Sequence, residues 1–471
     1  MKNVFLLLPL LFFWLACGEI TEEEPTRIVI TGTASEDLEI NLHGQTKTAE
    51  AMTDSAGFFA FEFEADEPAY YKMRGSRQSI DLFLVPGDSI HISFEAESWA
   101  ENTQFSADRA LENEYLHRKV NVLNESHWNN YRKLFNFEKD SFLYALESGT
   151  QSLNELLSEL EENPEANERF VELEKAHAPH HVAILNYYYP MYYAHFQELD
   201  RDEVDYPIED DLVLKEAVDR PDLLPLPIFR ESLERKMDMV FRDHLPEGIY
   251  EKEQGVVLTT QYELIDSFFA NEKIREFLKF QFLNERLSYS GPGAIDPLYE
   301  DFIQHSSHPT YVNILKETMG EWSELMPGME VPDFEFEKIN EESVNLSDLK
   351  GKLVYIDVWA TWCGPCLAEH PHWEELVEEY KDEEVHFLAI SLDSEREPWV
   401  KMVEEKELSG IHWYAGGGWN ADFTTHFRVL GIPRFILLDR EGKILEVSAA
   451  RPSGNIRLTL DKYLATFAEV Q

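Results

Sequence analysis

The sequence predicts a multi-domain chain, with an all-β, sandwich-like domain first, an α-helical middle region, and an α/β domain at the C-terminus. Three observations predict it. From Arg27 to about Glu95, short runs of alternating apolar and polar residues are separated by turn signals. Between about Ala107 and Leu325, apolar residues recur at spacings of three and four. From Met326 onward, apolar strand-like runs alternate with helical segments, the pattern of an α/β sheet. A chain of 471 residues, 44% hydrophobic and 13% aromatic, can fill several cores. Its formal net charge of −49 makes the surface strongly acidic, which repels nucleic acid and anionic lipid and favours basic partners or a salty medium.

The first residues read as a targeting signal, 1–16: Lys2 is the positive start, and Val4 to Leu15 is an apolar run too short to span a bilayer comfortably. Trp14-Leu15-Ala16-Cys17-Gly18 resembles the lipobox of bacterial lipoproteins, except that Trp14 stands where leucine is usual. That resemblance implies lipidation of Cys17 and a lipid anchor in a membrane. The other reading is an ordinary signal peptide with a cysteine near its cleavage site. Residues 17–26, with Glu22, Glu23 and Glu24 together, read as an acidic tether.

In the β-domain, 27–100, the strand candidates are Arg27 to Ile30, Phe58 to Phe63, Ile80 to Val85 and Ile90 to Phe94, with turns at Asp54-Ser55-Ala56-Gly57 and Val85-Pro86-Gly87-Asp88. No catalytic constellation stands out there. In the helical region, 101–325, Leu153-Leu156-Leu157-Leu160 and Ile274-Phe277-Leu278-Phe282 place apolar residues on one helical face. His177, His180 and His181 with Glu174 have a metal-like spacing, but Pro179 favours a turn between helices and argues against a metal. The run Tyr187-Tyr188-Tyr189-Pro190-Met191-Tyr192-Tyr193 reads as core rather than as a binding stripe.

The last region, 326–471, carries the chemistry. Two of the three cysteines, Cys363 and Cys366, stand two residues apart after the apolar run Leu353 to Trp359. A cross-link over so short a loop restrains an unfolded chain little, so the pair points to redox chemistry more than to stability. Half of a zinc site is the alternative, and no further cysteines exist to complete one.

The run Asp357-Val358-Trp359-Ala360-Thr361-Trp362-Cys363-Gly364-Pro365-Cys366 resembles the thioredoxin superfamily, in particular the membrane-tethered TlpA/ResA-like thiol-disulfide oxidoreductases. The resemblance covers about a third of the chain and implies a thioredoxin-like fold for 326–471. With the cysteines in a first helical turn, the sulfurs can meet, and the first faces free N–H groups and the positive end of the helix dipole. Cys363 is then the nucleophile and Cys366 the resolving thiol, and the two form the redox-active disulfide. Asp357, inside an apolar strand, matches the buried acid of thioredoxins and is the expected proton acceptor. Glu369 matches the acid of a C-x-x-E-x-P pattern with Pro371 and is the second proton carrier. Gly431-Ile432-Pro433-Arg434 resembles the segment bearing the cis-proline, which implies that Pro433 packs beside the cysteines and that the Ile432 backbone pairs with an extended substrate. Arg434 replaces the threonine common there, so altered substrate contacts are expected. Trp362 is expected on the contact surface, and Gly416-Gly417-Gly418-Trp419 in a loop near the site.

A Gly-Pro pair between the cysteines resembles thioredoxin, with a potential of roughly −270 mV, rather than oxidising enzymes near −120 mV. Reduction of disulfides in exported proteins is therefore expected, with an upstream membrane thiol as electron donor and a periplasm-facing or surface lipoprotein as the setting. No flavin or nicotinamide fingerprint is present, so no cofactor is expected. The alternatives are a periplasmic disulfide oxidase or isomerase, or a surface binding lipoprotein in which the redox domain is secondary. A thiol peroxidase lacks its usual motif.

Overall fold

A computed structural model describes residues 26–34, 38–45, 48–75, 78–94, 99–208, 219–249 and 252–468. The targeting segment and Cys17 lie outside these residues. The chain divides into two compact units, one of residues up to Val122 with Asn154–Val171, the other of Leu123–Leu153 with Glu172 onward.

The first unit is built on two four-stranded sheets. One has the order β4-β1-β7-β8 and the other β3-β2-β5-β6. The strands are β1 (Arg27–Thr33), β2 (Glu39–Gly44), β3 (Thr48–Met52), β4 (Phe58–Glu64), β5 (Ala69–Gly75), β6 (Gln78–Leu84), β7 (Ser89–Ser93) and β8 (Gln104–Ala107). Alternation decides which face is buried: in β4, Phe59, Phe61 and Phe63 turn inward while Phe58, Ala60 and Glu62 face out. Ile28 and Ile30 from one sheet and Ile40, Leu42, Met73 and Leu82 from the other close a shared core. At the Asp54–Gly57 turn, Asp54 Oδ1 accepts from the Ala56 and Phe58 amides, and Gly57 has φ 76°. A side chain at Gly57 would strike the Ala34 carbonyl, so glycine is required there. β8 extends the sheet beyond the alternating runs legible in the sequence.

The second unit holds most of the helices and a seven-stranded sheet. Helices Pro227–His244 and Pro309–Gly320 begin with proline, which has no N–H to leave unpaired there, and Asn271 caps Glu272–Ser290 by accepting from the Lys273 and Ile274 amides. A break between helices does fall here, at Ala176, between helix Glu168–Lys175 and helix His177–Gln197, but it is shorter than Ala176–Pro179: Pro179 already lies in the first turn of the second helix, where its missing N–H is tolerated. The histidines near it pack: His180 bonds Ser232 Oγ at 3.0 Å and stands edge-on to Phe229, and His181 stands edge-on to Trp128. Burial, with the Arg220 charge, pushes His180 down to about 4. No cluster of three His, Cys, Asp or Glu side chains able to hold a metal occurs among the described residues. Nor is any described helix long and apolar enough to cross a membrane.

The sheet runs β10-β9-β13-β12-β11-β14-β15, formed by β9 (Glu335–Glu337), β10 (Ser343–Asn345), β11 (Leu353–Trp359), β12 (Val385–Ser391), β13 (Ile411–Tyr414), β14 (Arg434–Leu438) and β15 (Ile444–Glu446). β11 pairs in parallel with β12 and antiparallel with β14, so it lies inside the sheet, and all seven of its residues are buried. Helices Gly364–Glu379, Arg396–Glu405 and Ile456–Ala468 complete the domain; Trp373, Leu376, Trp399, Ile456 and Leu460 join the core around β11.

Candidate active site

β11 ends at Trp359, and the chain must turn sharply to start the next helix. Asp393, just past the end of β12, holds that turn: its carboxylate accepts from the Thr361 amide at 3.1 Å, the Thr361 hydroxyl at 2.6 Å and the Ser391 hydroxyl at 2.8 Å. Cys363 then caps helix Gly364–Glu379, with extended backbone and its sulfur accepting from the Cys366 amide at 3.2 Å. Pro365 falls in the first turn, where the sequence suits it. Cys363 and Cys366 are joined by a disulfide, their Cα atoms 5.3 Å apart. Cys363 is the shallower of the two, 5% exposed against 0% for Cys366.

Two buried acids stand on the elements that flank the cysteines, Asp357 on β11 and Glu369 on the helix Gly364–Glu379. Asp357 is 3% exposed, and its Oδ1 has no hydrogen-bond partner. Burial, and then the neighbouring Glu369 carboxylate, raises the Asp357 carboxyl well above the usual range. Glu369 is buried on the helix but not unpartnered: Oε2 accepts from the Ser453 amide at 3.0 Å, Oε1 from the Ser453 hydroxyl at 2.9 Å, and Arg451 stands 3.8 Å away. Tyr355, two residues before Asp357, donates to the Ala450 carbonyl at 2.6 Å and so ties β11 to the same loop.

The Ile432–Pro433 peptide is cis, and the Ile432 carbonyl oxygen lies 3.8 Å from the Cys363 sulfur. Pairing of β14 with β11 brings it there, because Arg434 sits opposite Val358 and the chain before it reaches the end of the strand. Trp362 is 57% exposed, with its ring 6.3 Å from that of Trp419, also exposed, so the glycine-rich loop borders the site. The Arg434 side chain is buried and bonded to the Val447, Tyr289 and Ser290 carbonyls rather than presented at the surface.

Sequence reasoning missed Asp393, Ser453 and Arg451. Asp393 had a faint signal, a polar pair with Ser391 ending an apolar run. Ser453 and Arg451 had none, since they reach Glu369 only through tertiary closure.

A cysteine pair joined as a disulfide at the start of a helix, after an inner strand of a mixed sheet and with a cis-proline segment against its outer sulfur, defines a thioredoxin-fold redox site. Comparison with known proteins agrees. Residues 326–462 match the Redoxin family. The thiol-disulfide oxidoreductase ResA of Oceanobacillus iheyensis is 42% identical over 86 residues, 17% of this chain and 45% of that protein, so this chain spans under half of that relative's length. The thioredoxin-like protein YneN of Bacillus subtilis is 32% identical over 126 residues, 26% of this chain and 71% of that protein. Among solved structures, the thioredoxin domain of a thiol-disulfide oxidoreductase from Bacteroides vulgatus is 27% identical, covering 30% of this chain and 98% of that one, with a TM-score of 0.28. The chain belongs to the thioredoxin-like family of TlpA/ResA-type proteins, through its C-terminal domain.

Proposed function

We propose that the protein is a membrane-anchored thiol-disulfide oxidoreductase that reduces disulfides of exported proteins. The observation that carries the reading is the Cys363–Cys366 disulfide, with the shallower Cys363 at the helix start and Cys366 fully buried. In the reduced protein, the helix N-terminus favours a thiolate at Cys363. That thiolate attacks one substrate sulfur; a mixed disulfide forms, and the other substrate sulfur leaves and takes up a proton. Cys366 then gives its proton to Asp357, and the new thiolate attacks the Cys363 sulfur, breaking the mixed disulfide and expelling the second substrate sulfur as a thiolate, which takes up a proton from water as Asp357 releases its own to water. The substrate gains two electrons and two protons, and Cys363 and Cys366 end as a disulfide. A thiol donor restores the dithiol; in an exported protein anchored through Cys17, that donor is a membrane thiol relay.

Cys366→Ser in the full chain tests this. It is expected to accumulate mixed disulfides on Cys363, which mass spectrometry of the trapped species identifies as exported proteins. A folded variant that traps nothing contradicts the reading. A redox potential well above about −180 mV would instead favour an oxidase or isomerase.

A further inference from the structure

Arg434 directly follows the cis Ile432–Pro433 peptide, yet its guanidinium is directed toward a part of the chain more than a hundred residues earlier. Nε donates to the Val447 carbonyl at 3.0 Å, Nη1 to the Tyr289 carbonyl and Nη2 to the Ser290 carbonyl at 3.3 Å. Tyr289 and Ser290 end the helix Glu272–Ser290, where carbonyls lack partners within the helix and the negative end of its dipole favours a cation. The seat is shaped to match. Gly291 turns the chain with φ 75°, where a Cβ would come within 2.6 Å of the Trp322 ring. That fully buried ring lies 5.9 Å from the Arg434 guanidinium, and Arg428, paired with Glu321, lies against the same ring. No carboxylate pairs with Arg434 among the described residues. Burial pushes the guanidinium down to about 10, which leaves it charged at neutral pH. The guanidinium reaches the three carbonyls from three separate nitrogens, whereas a lysine ammonium offers its three donors from a single atom.

We propose that Arg434 is a positioning residue for substrate: it pins the Ile432–Pro433 segment to the end of the Glu272–Ser290 helix, so that the helical region holds the backbone against which a polypeptide disulfide docks. This rests on the thiol-disulfide reading above. It gives the helical region a part in the reaction without any contact with the sulfurs. A polypeptide substrate needs the Ile432 backbone held in place, whereas a small disulfide needs only the Cys363 sulfur.

The experiment compares full-length wild type, Arg434→Thr and Arg434→Lys, with dithiothreitol as donor. Insulin serves as the protein disulfide and 5,5′-dithiobis(2-nitrobenzoate) as the small one. Arg434→Thr is expected to raise KM for insulin about tenfold, keep kcat within about twofold, and leave the rate with the small disulfide unchanged. Arg434→Lys should fall between. An unchanged KM for insulin in Arg434→Thr, or equal losses on both disulfides, overturns the proposal. If the threonine variant does not fold, the lysine variant decides, and wild-type KM there overturns it. A wild type that reduces neither disulfide overturns the underlying reading as well, a result distinct from the others.

Discussion

Two buried polar groups, one in each unit of this chain, are held in opposite ways. In the first unit, Asn113 is fully buried, but its side chain accepts from the Phe83 amide at 2.8 Å and donates to the Phe83 and Arg109 carbonyls. In the second, Asp357 is almost as deeply buried, yet one carboxylate oxygen has no partner, and the charge that acts on it, Glu369, is another acid. Burying an unpaired carboxyl is unfavourable and raises its affinity for a proton. The first arrangement is what stability alone selects. The second retains an unfavourable group where, in the mechanism proposed above, Cys366 must lose a proton, as expected of a functional site.

The contrast can be broken from the sandwich side. Phe59 is buried against Phe61 and Phe94, and Phe59→Ala should destabilise the first unit by about 3–5 kcal/mol. Hydrogen exchange across β1, β4 and β7 of the full chain reads this, and the rate on a small disulfide should not change. A matching loss of exchange chemistry would mean that the two regions are not separable. Asn113→Ala is the smaller perturbation, expected to lose about 1–3 kcal/mol because it strands the Phe83 amide and carbonyl in the core. The same hydrogen-exchange measurement checks it, and a neutral result would remove the contrast with Asp357.

How much of this was legible follows from how local each signal is. The inward Phe59, Phe61 and Phe63 of β4 declare themselves by alternation within one strand. Asp357 stands out as one acid in a seven-residue apolar run, and Cys363, Cys366 and the Ile432-Pro433 pair carry their own spacing or chemistry. The strands β9, β10 and β15 run three residues each and β13 four, too short for a period of two to register. Asp393 and Ser453 act on residues 32 and 84 positions away, so no window of sequence contains both ends of either contact. Arg434 was visible as an oddity, but its direction depends on a helix that ends at Ser290.

Asp357→Asn, measured in two ways across pH, tests the central claim most directly. The carboxyl holds its proton to higher pH in the folded protein than at the ordinary unfolded value of about 3.9. The folded state therefore binds more protons between those two values, and stability falls as pH rises through that window, leaving the penalty fully present above it. Asparagine cannot ionise, so the variant should lose that slope and melt at a higher temperature than wild type at neutral pH. At the same time, release of substrate from the mixed disulfide should slow by about a hundredfold, because Cys366 has lost its proton acceptor. A variant less stable than wild type at neutral pH, or one that resolves the mixed disulfide at the wild-type rate, would contradict the account.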